Sequence, residues 1–256
     1  MKRGLIILNI IILLTSCQLG EWHYVDFTDI DAVKPGMFRV TKQQTTDMQK
    51  LVQDPQQLAL WGITTPADSI NDVVRAPQRA SSVTVNHVAQ QLMDFSKMTS
   101  AIELSGVYES IDLEGNPIML SGKVVLPAKG PIKRYILVSH YTIASNAEAP
   151  SNIFPLEGLL VKLGYALIIP DYLGYGCTAN HIHPYLVMDI TARNVLDMYY
   201  AVVPFLEAAG CAPEHDDIYL MGYSQGGATT MAVQHLIEHH EIGDIKIRRV
   251  FAGGGP

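Results

Sequence analysis

The sequence predicts an α/β protein: a mostly parallel sheet entered through an antiparallel hairpin, with helices on both faces. Three observations carry this. Residues 102–112 and 118–126 are β-favouring runs joined by Glu114-Gly115-Asn116-Pro117, a turn signal that makes them a hairpin. Residues 135–139 and 165–170 are short, continuous apolar runs, the pattern of strands buried on both faces. From residue 153 onward, helical and strand-like segments alternate, which is the order a layered α/β sheet requires.

Taken in order, residues 153–163 have helical spacing and stop at Gly164, ahead of the strand at 165–170. Residues 191–209 are again helical and end at Gly210, with Pro204 inside them predicting a kink or a division. A strand at 217–221 leads through a glycine-rich turn into a helix over 228–241, and 246–252 is a final strand. Upstream, the chain is polar and irregular, with weak helical stretches at 45–60 and 82–96, the second capped by Ser81 or Ser82. Trp22, Tyr24, Phe27, Phe38 and Trp61 are expected to anchor this arm onto the domain. The organisation expected is a leader at 1–16, an arm at 17–100 and the α/β core at 101–256.

A chain of 256 residues with 48% hydrophobic content can bury one large core. Its formal net charge of −7 disfavours nucleic-acid binding. Lys2 and Arg3 precede an apolar run at 5–14 that is too short to span a bilayer comfortably and reads as a secretory signal. The run ends in Leu14-Thr15-Ser16-Cys17, which resembles a bacterial lipobox. That resemblance implies export, cleavage before Cys17, and a lipid anchor at Cys17 on the periplasmic or cell-surface side of a membrane. Cys177 and Cys211 would then lie in a compartment that permits disulfides, and pairing and free thiols both remain open.

The chemistry centres on Gly222-Tyr223-Ser224-Gln225-Gly226, placed between a strand and a helix. A serine at such an apex projects its hydroxyl past the sheet edge, and glycines on either side let strand and helix approach closely. The helix start aims unpaired N–H groups and the positive end of its dipole at the same point, where a developing oxyanion would be stabilised.

Together with Ser139-His140-Tyr141-Thr142 after one strand and Pro170-Asp171-Tyr172-Leu173-Gly174-Tyr175-Gly176 after the next, this motif resembles the α/β-hydrolase fold, and within it the secreted lipases and esterases. The resemblance covers about residues 101–256. It implies attack by Ser224 on the acyl carbonyl of a small-molecule or lipid ester, with no cofactor or metal. One oxyanion donor would be the Gln225 backbone N–H, the other the backbone of Tyr141 or Thr142. Asp171 is expected to be structural, bonding nearby backbone, and His140 to shape the turn that carries it.

In this fold the acid and then the histidine follow the serine, yet the histidines after Ser224 are His235, His239 and His240. His235 lies roughly 16 Å along the outgoing helix, out of reach. The expectation is therefore a hydrolase missing its C-terminal part, whose acid and base lie beyond Pro256. His235-Leu236-Ile237-Glu238-His239 matches a zinc-peptidase pattern but reads better as the polar face of a helix, and His181 and His183 as loop residues. A serine peptidase or amidase on the same fold, and a non-catalytic binding module, are the alternatives to an esterase.

Overall fold

The computed structural model describes residues 36–61, 100–239 and 245–256. Cys17, the leader, Trp22, Tyr24, Phe27, the helix expected at 82–96 and His240 lie outside the described residues.

The hairpin strands are β2 (Ser100–Ile111) and β3 (Pro117–Pro127), paired antiparallel across their full length. Asp112 closes the turn, its carboxylate accepting from the backbone of Glu114 and Asn116. The apolar runs form β4 (Arg134–Ser139) and β5 (Tyr165–Pro170), followed by β6 (Asp217–Tyr223) and β7 (Lys246–Gly253). β4, β5, β6 and β7 pair parallel, while β5 meets the hairpin strand β3 antiparallel.

The arm contributes a strand that its polar sequence does not signal. Residues Arg39–Asp47, overlapping the weak helix expected from residue 45, form β1, which pairs antiparallel with β2. The sheet therefore has seven strands, in the order β1-β2-β3-β5-β4-β6-β7. The helical part of 45–60 reduces to two short helices, α1 (Met48–Leu51) and α2 (Pro55–Leu60), each capped by an aspartate: Asp47 accepts from the N–H of Gln49 and Lys50, and Asp54 from that of Gln56.

Alternation along the central strands explains the two layers. Tyr135 and Leu137 of β4 with Ala166 and Ile168 of β5 face one core; Ile136 and Val138 with Leu167 and Ile169 face the other. The first core is roofed by the long helices α3 (Met188–Ala208) and α4 (Gln225–His239). The second is covered by α1, Trp61 and the segment Leu156–Leu163. That segment is 3-10 rather than α-helical, and it ends at Gly164 in the left-handed region (φ 84°).

Pro204 neither divides nor ends α3. Val195, Leu196, Val202, Phe205 and Leu206, on both sides of it, are all buried in the same core. Burying Phe205 and Leu206 contributes about 1.5–3 kcal/mol each, enough to offset the roughly 3 kcal/mol that an interior proline costs. Of the two aromatic anchors described, Phe38 packs on Phe205, and Trp61 packs on Phe154 while donating to its carbonyl. Cys211 is buried, Cys177 is exposed, and no disulfide joins them. Among the described residues no helix is long and apolar enough to cross a membrane.

Candidate active site

The site is located by the topology. β4 lies between β5 and β6; the chain leaving β4 turns toward β5, and the chain leaving β6 turns the other way, toward β7. Opposite departures open a crevice at the C-terminal ends of β4 and β6, the place where open α/β sheets accommodate ligands. The two ends are level, Ser139 pairing with Gly222.

Ser224 sits at the apex between β6 and α4 with φ 55°, a left-handed conformation it shares with only Tyr172 and Leu186 among the described non-glycine residues. The strain is held by hydrogen bonds. The Ser224 N–H donates to the Gly253 carbonyl of β7 (2.8 Å), and the Ser224 carbonyl accepts from Gly227 (2.8 Å) and Ala228 (3.2 Å), starting α4. The flanking glycines are required by close approach. A Cβ on Gly222 would lie 2.2 Å from the Gly226 carbonyl oxygen, and one on Gly226 would lie 2.0 Å from that of Ser139 and 2.7 Å from that of His140. The first turn of α4 thus rests against the backbone that leads into Tyr141 and Thr142. Ser224 and Gln225 on one side and Tyr141 and Thr142 on the other leave the level ends of neighbouring strands.

His140 is buried and shapes this loop. Its Nδ1 faces the Tyr141 carbonyl (2.6 Å) and its Nε2 the Asp171 carbonyl (3.0 Å), while its ring stacks on Tyr172 at 3.9 Å. Burial holds the imidazole below its ordinary pKa against the upward pull of the two carbonyls. The Tyr172 hydroxyl donates to the His140 carbonyl (3.2 Å), and burial pushes its phenol well up.

Asp171 is fully buried and turned into the scaffold: one carboxylate oxygen accepts from the Ser121 hydroxyl (2.6 Å), the other from the Ser151 N–H (2.8 Å). It has the structural setting expected of it, but it fastens the loop to Ser121 and Ser151, 50 and 20 residues away, rather than to the nearby backbone expected from the turn.

Side chains with no expected chemical role also line the site. Gln225, fully buried, donates from its side-chain amide to Nε2 of His183 (2.7 Å). Tyr175 packs on both His140 and His183, and Tyr185 approaches the Thr142 hydroxyl at 3.4 Å. The half-buried Glu157 has its carboxyl pushed up by burial, and its charge acts on Tyr141 and Tyr172. A groove of about 570 Å³ beside the first turn of α4 is lined largely by apolar residues, including Met188, Ala228, Met231 and Ala252.

Among the described residues no histidine hydrogen-bonds to Ser224. Both ring nitrogens of His140 face backbone carbonyls, those of His183 face the Leu173 carbonyl and the Gln225 amide, and His181 Nδ1 contacts Asn180. His215 lies before the N-terminal end of β6, at the opposite edge of the sheet. His235 and His239 lie together on the exposed face of α4, ring centroids 4.5 Å apart, and no group of three metal-ligating side chains occurs among the described residues.

No protein-family model and no curated protein matches the chain. Solved structures do. A candidate hydrolase from Legionella pneumophila superposes with a TM-score of 0.56 at 24% identity over 65% of this chain. The rice cell wall degrading esterase LipA from Xanthomonas oryzae superposes with a TM-score of 0.58 at 26% identity over 66%. A point mutant of the same LipA aligns over 87% of the chain with a TM-score of 0.61 at 20% identity. The chain spans about half the length of these structures: 47%, 46% and 51%.

Proposed function

This chain has the α/β-hydrolase fold, and we propose that it carries the nucleophile and oxyanion donors of a serine hydrolase acting on carboxylic esters. The observation that carries the reading is the strained Ser224 at the switch-point crevice, held against the loop after β4 by glycines that tolerate no Cβ. Similarity to LipA, solved as an esterase, supports the ester class.

In the proposed reaction the Ser224 oxygen attacks the acyl carbonyl as its proton passes to a base. The resulting oxyanion is held by the Gln225 N–H and a backbone N–H of Tyr141 or Thr142. Collapse expels the alcohol and leaves an acyl-enzyme on Ser224, which water then hydrolyses. No base and acid are identified beside Ser224 among the described residues, and this proposal takes them from outside those residues. The lipobox-like sequence places the protein, in this proposal, at a membrane surface through Cys17, where a lipid ester would be at hand.

The committed histidines also support a second reading, a non-catalytic binding module on the same fold. A fluorophosphonate probe, offered with and without added imidazole as an external base, separates the two. Covalent capture mapped to Ser224 by mass spectrometry and lost in S224A is expected of the hydrolase. Absence of capture under both conditions, or equal capture in S224A, overturns it. For the anchor, C17A should abolish acylation and release the protein from membranes; unchanged fractionation contradicts it.

A further inference from the structure

The imidazole of His183 joins two loops that the proposed chemistry needs together. His183 lies in the connection between β5 and α3. Its Nδ1 is 2.8 Å from the Leu173 carbonyl, which only accepts, so Nδ1 carries a proton. Its Nε2 is 2.7 Å from the side-chain nitrogen of Gln225, which only donates, so Nε2 offers its lone pair. The two contacts select one neutral tautomer and fix which way the Gln225 amide faces, since the reversed amide would set its oxygen against that lone pair. Gln225 Oε1 is left buried and without a partner among the described residues. An orphaned acceptor in a residue with no exposed surface persists only where something else dictates the orientation, and the bond to His183 does so.

His183 is itself immobilised. Its ring packs on Tyr175 (centroids 4.8 Å apart) and lies parallel to Tyr172 at 6.2 Å. Its backbone presses on Gly174, where a Cβ would lie 2.6 Å from the His183 Cα and N. Tyr172 stacks in turn on His140, so one run of side chains links Gln225 to the loop bearing Tyr141 and Thr142.

We propose that His183 is a positioning residue for the Ser224 chemistry: by accepting from Gln225 it holds the residue after the nucleophile, and with it the backbone N–H offered to the acyl oxygen, in register with the loop after β4. This rests on the reading of Ser224 as an acyl-transfer nucleophile. It also removes His183 as the general base, its lone pair being committed to Gln225.

The test compares wild type, H183L and H183Q in the full chain. Leucine removes both contacts, whereas a glutamine oxygen reproduces the Nε2 acceptor. The readouts are the rate of fluorophosphonate capture at Ser224, the melting temperature as a folding check, and deuterium uptake by residues 223–228. H183L is expected to label about ten- to a hundredfold more slowly and to exchange faster over 223–228, with H183Q restoring most of both. Wild-type capture and uptake in H183L, or H183Q no better than H183L, overturns the inference. If wild-type Ser224 takes no probe at all, the hydrolase reading fails separately and uptake decides: faster exchange in H183L restored by H183Q upholds the clamp on Gln225, and equal exchange in all three removes it.

Discussion

Gly226→Ala is the sharpest test of how the crevice is built. Gly226 needs no unusual φ, so the substitution adds a methyl group and little else. That methyl carbon would sit 2.0 Å from the Ser139 carbonyl oxygen and 2.7 Å from that of His140, where ordinary contact begins near 3.4 Å. The nearer obstacle is main chain at the end of a central strand, with no flexible end to swing aside. The loop after β4 and the first turn of α4 must separate by more than an ångström. Overpacking of this kind costs about 1–3 kcal/mol, and a displacement of that size between the proposed nucleophile and its proposed oxyanion donors costs about a hundredfold in reactivity. Gly253→Ala is the control, since its Cβ would meet only the Tyr223 ring, at 3.3 Å, and Tyr223 is exposed. Urea unfolding reads the first effect and fluorophosphonate capture the second. A G226A protein with the wild-type midpoint would refute the packing argument, whatever its reactivity.

Four further outcomes are expected. S224G and S224A both lose probe capture, but S224G should be the more stable by about 1 kcal/mol, because alanine keeps the left-handed strain that glycine relieves; equal melting temperatures would contradict this. D171N should lower stability by about 1–3 kcal/mol by weakening the bonds to Ser121 and Ser151, while the folded protein keeps its Ser224 reactivity; loss of capture without loss of stability would make Asp171 part of the chemistry. K123M should cost about 3–5 kcal/mol in urea unfolding, because it strands the buried Glu103 carboxylate that Lys123 meets at 2.5 Å, and the double variant K123M/E103M should recover most of it. Burial pushes the Tyr199 phenol up to about 12, while in the unfolded chain it ionises near its ordinary value of about 10. Its contribution is therefore whole below pH 10 and is lost as pH rises to about 12, so the stability of wild type relative to Y199F should fall by about 2–3 kcal/mol over that window; a constant difference would refute the assignment.

The central strands were legible because both of their faces are buried, which leaves a continuous apolar run in the sequence. β1 was not, for the opposite reason. In Arg39-Val40-Thr41-Lys42-Gln43-Gln44-Thr45-Thr46-Asp47 only Val40 is buried, and the strand forms one edge of the sheet. Gln44 and Thr46 donate to Glu103, itself buried against Lys123, so polar residues do the pairing that apolar ones usually signal. Pro204 does not divide its helix, and local propensity cannot register the core contacts on either side of it that hold the helix in place. At the site, Ser224 and its glycines were visible as a local pattern. The bond between His183 and Gln225, 42 residues apart, was not, because it depends on how two loops meet.

Strain at Ser224 and the Gln225 oxygen that lacks a partner among the described residues are departures from ordinary backbone and polar satisfaction at adjacent positions. Either alone would relax if its surroundings allowed: the serine by leaving the left-handed region, the amide by turning over. Each is prevented by a contact from a different strand or its loop. Gly253 at the end of β7 accepts from the Ser224 N–H, and His183 after β5 accepts from the Gln225 amide. The loop after β4 closes the third side through the Ser139 and His140 carbonyls against Gly226. Three consecutive residues are thus each fixed by a separate part of the sheet's C-terminal edge. A connecting turn needs no such arrangement, whereas a hydroxyl and an adjacent N–H that must meet one acyl group do.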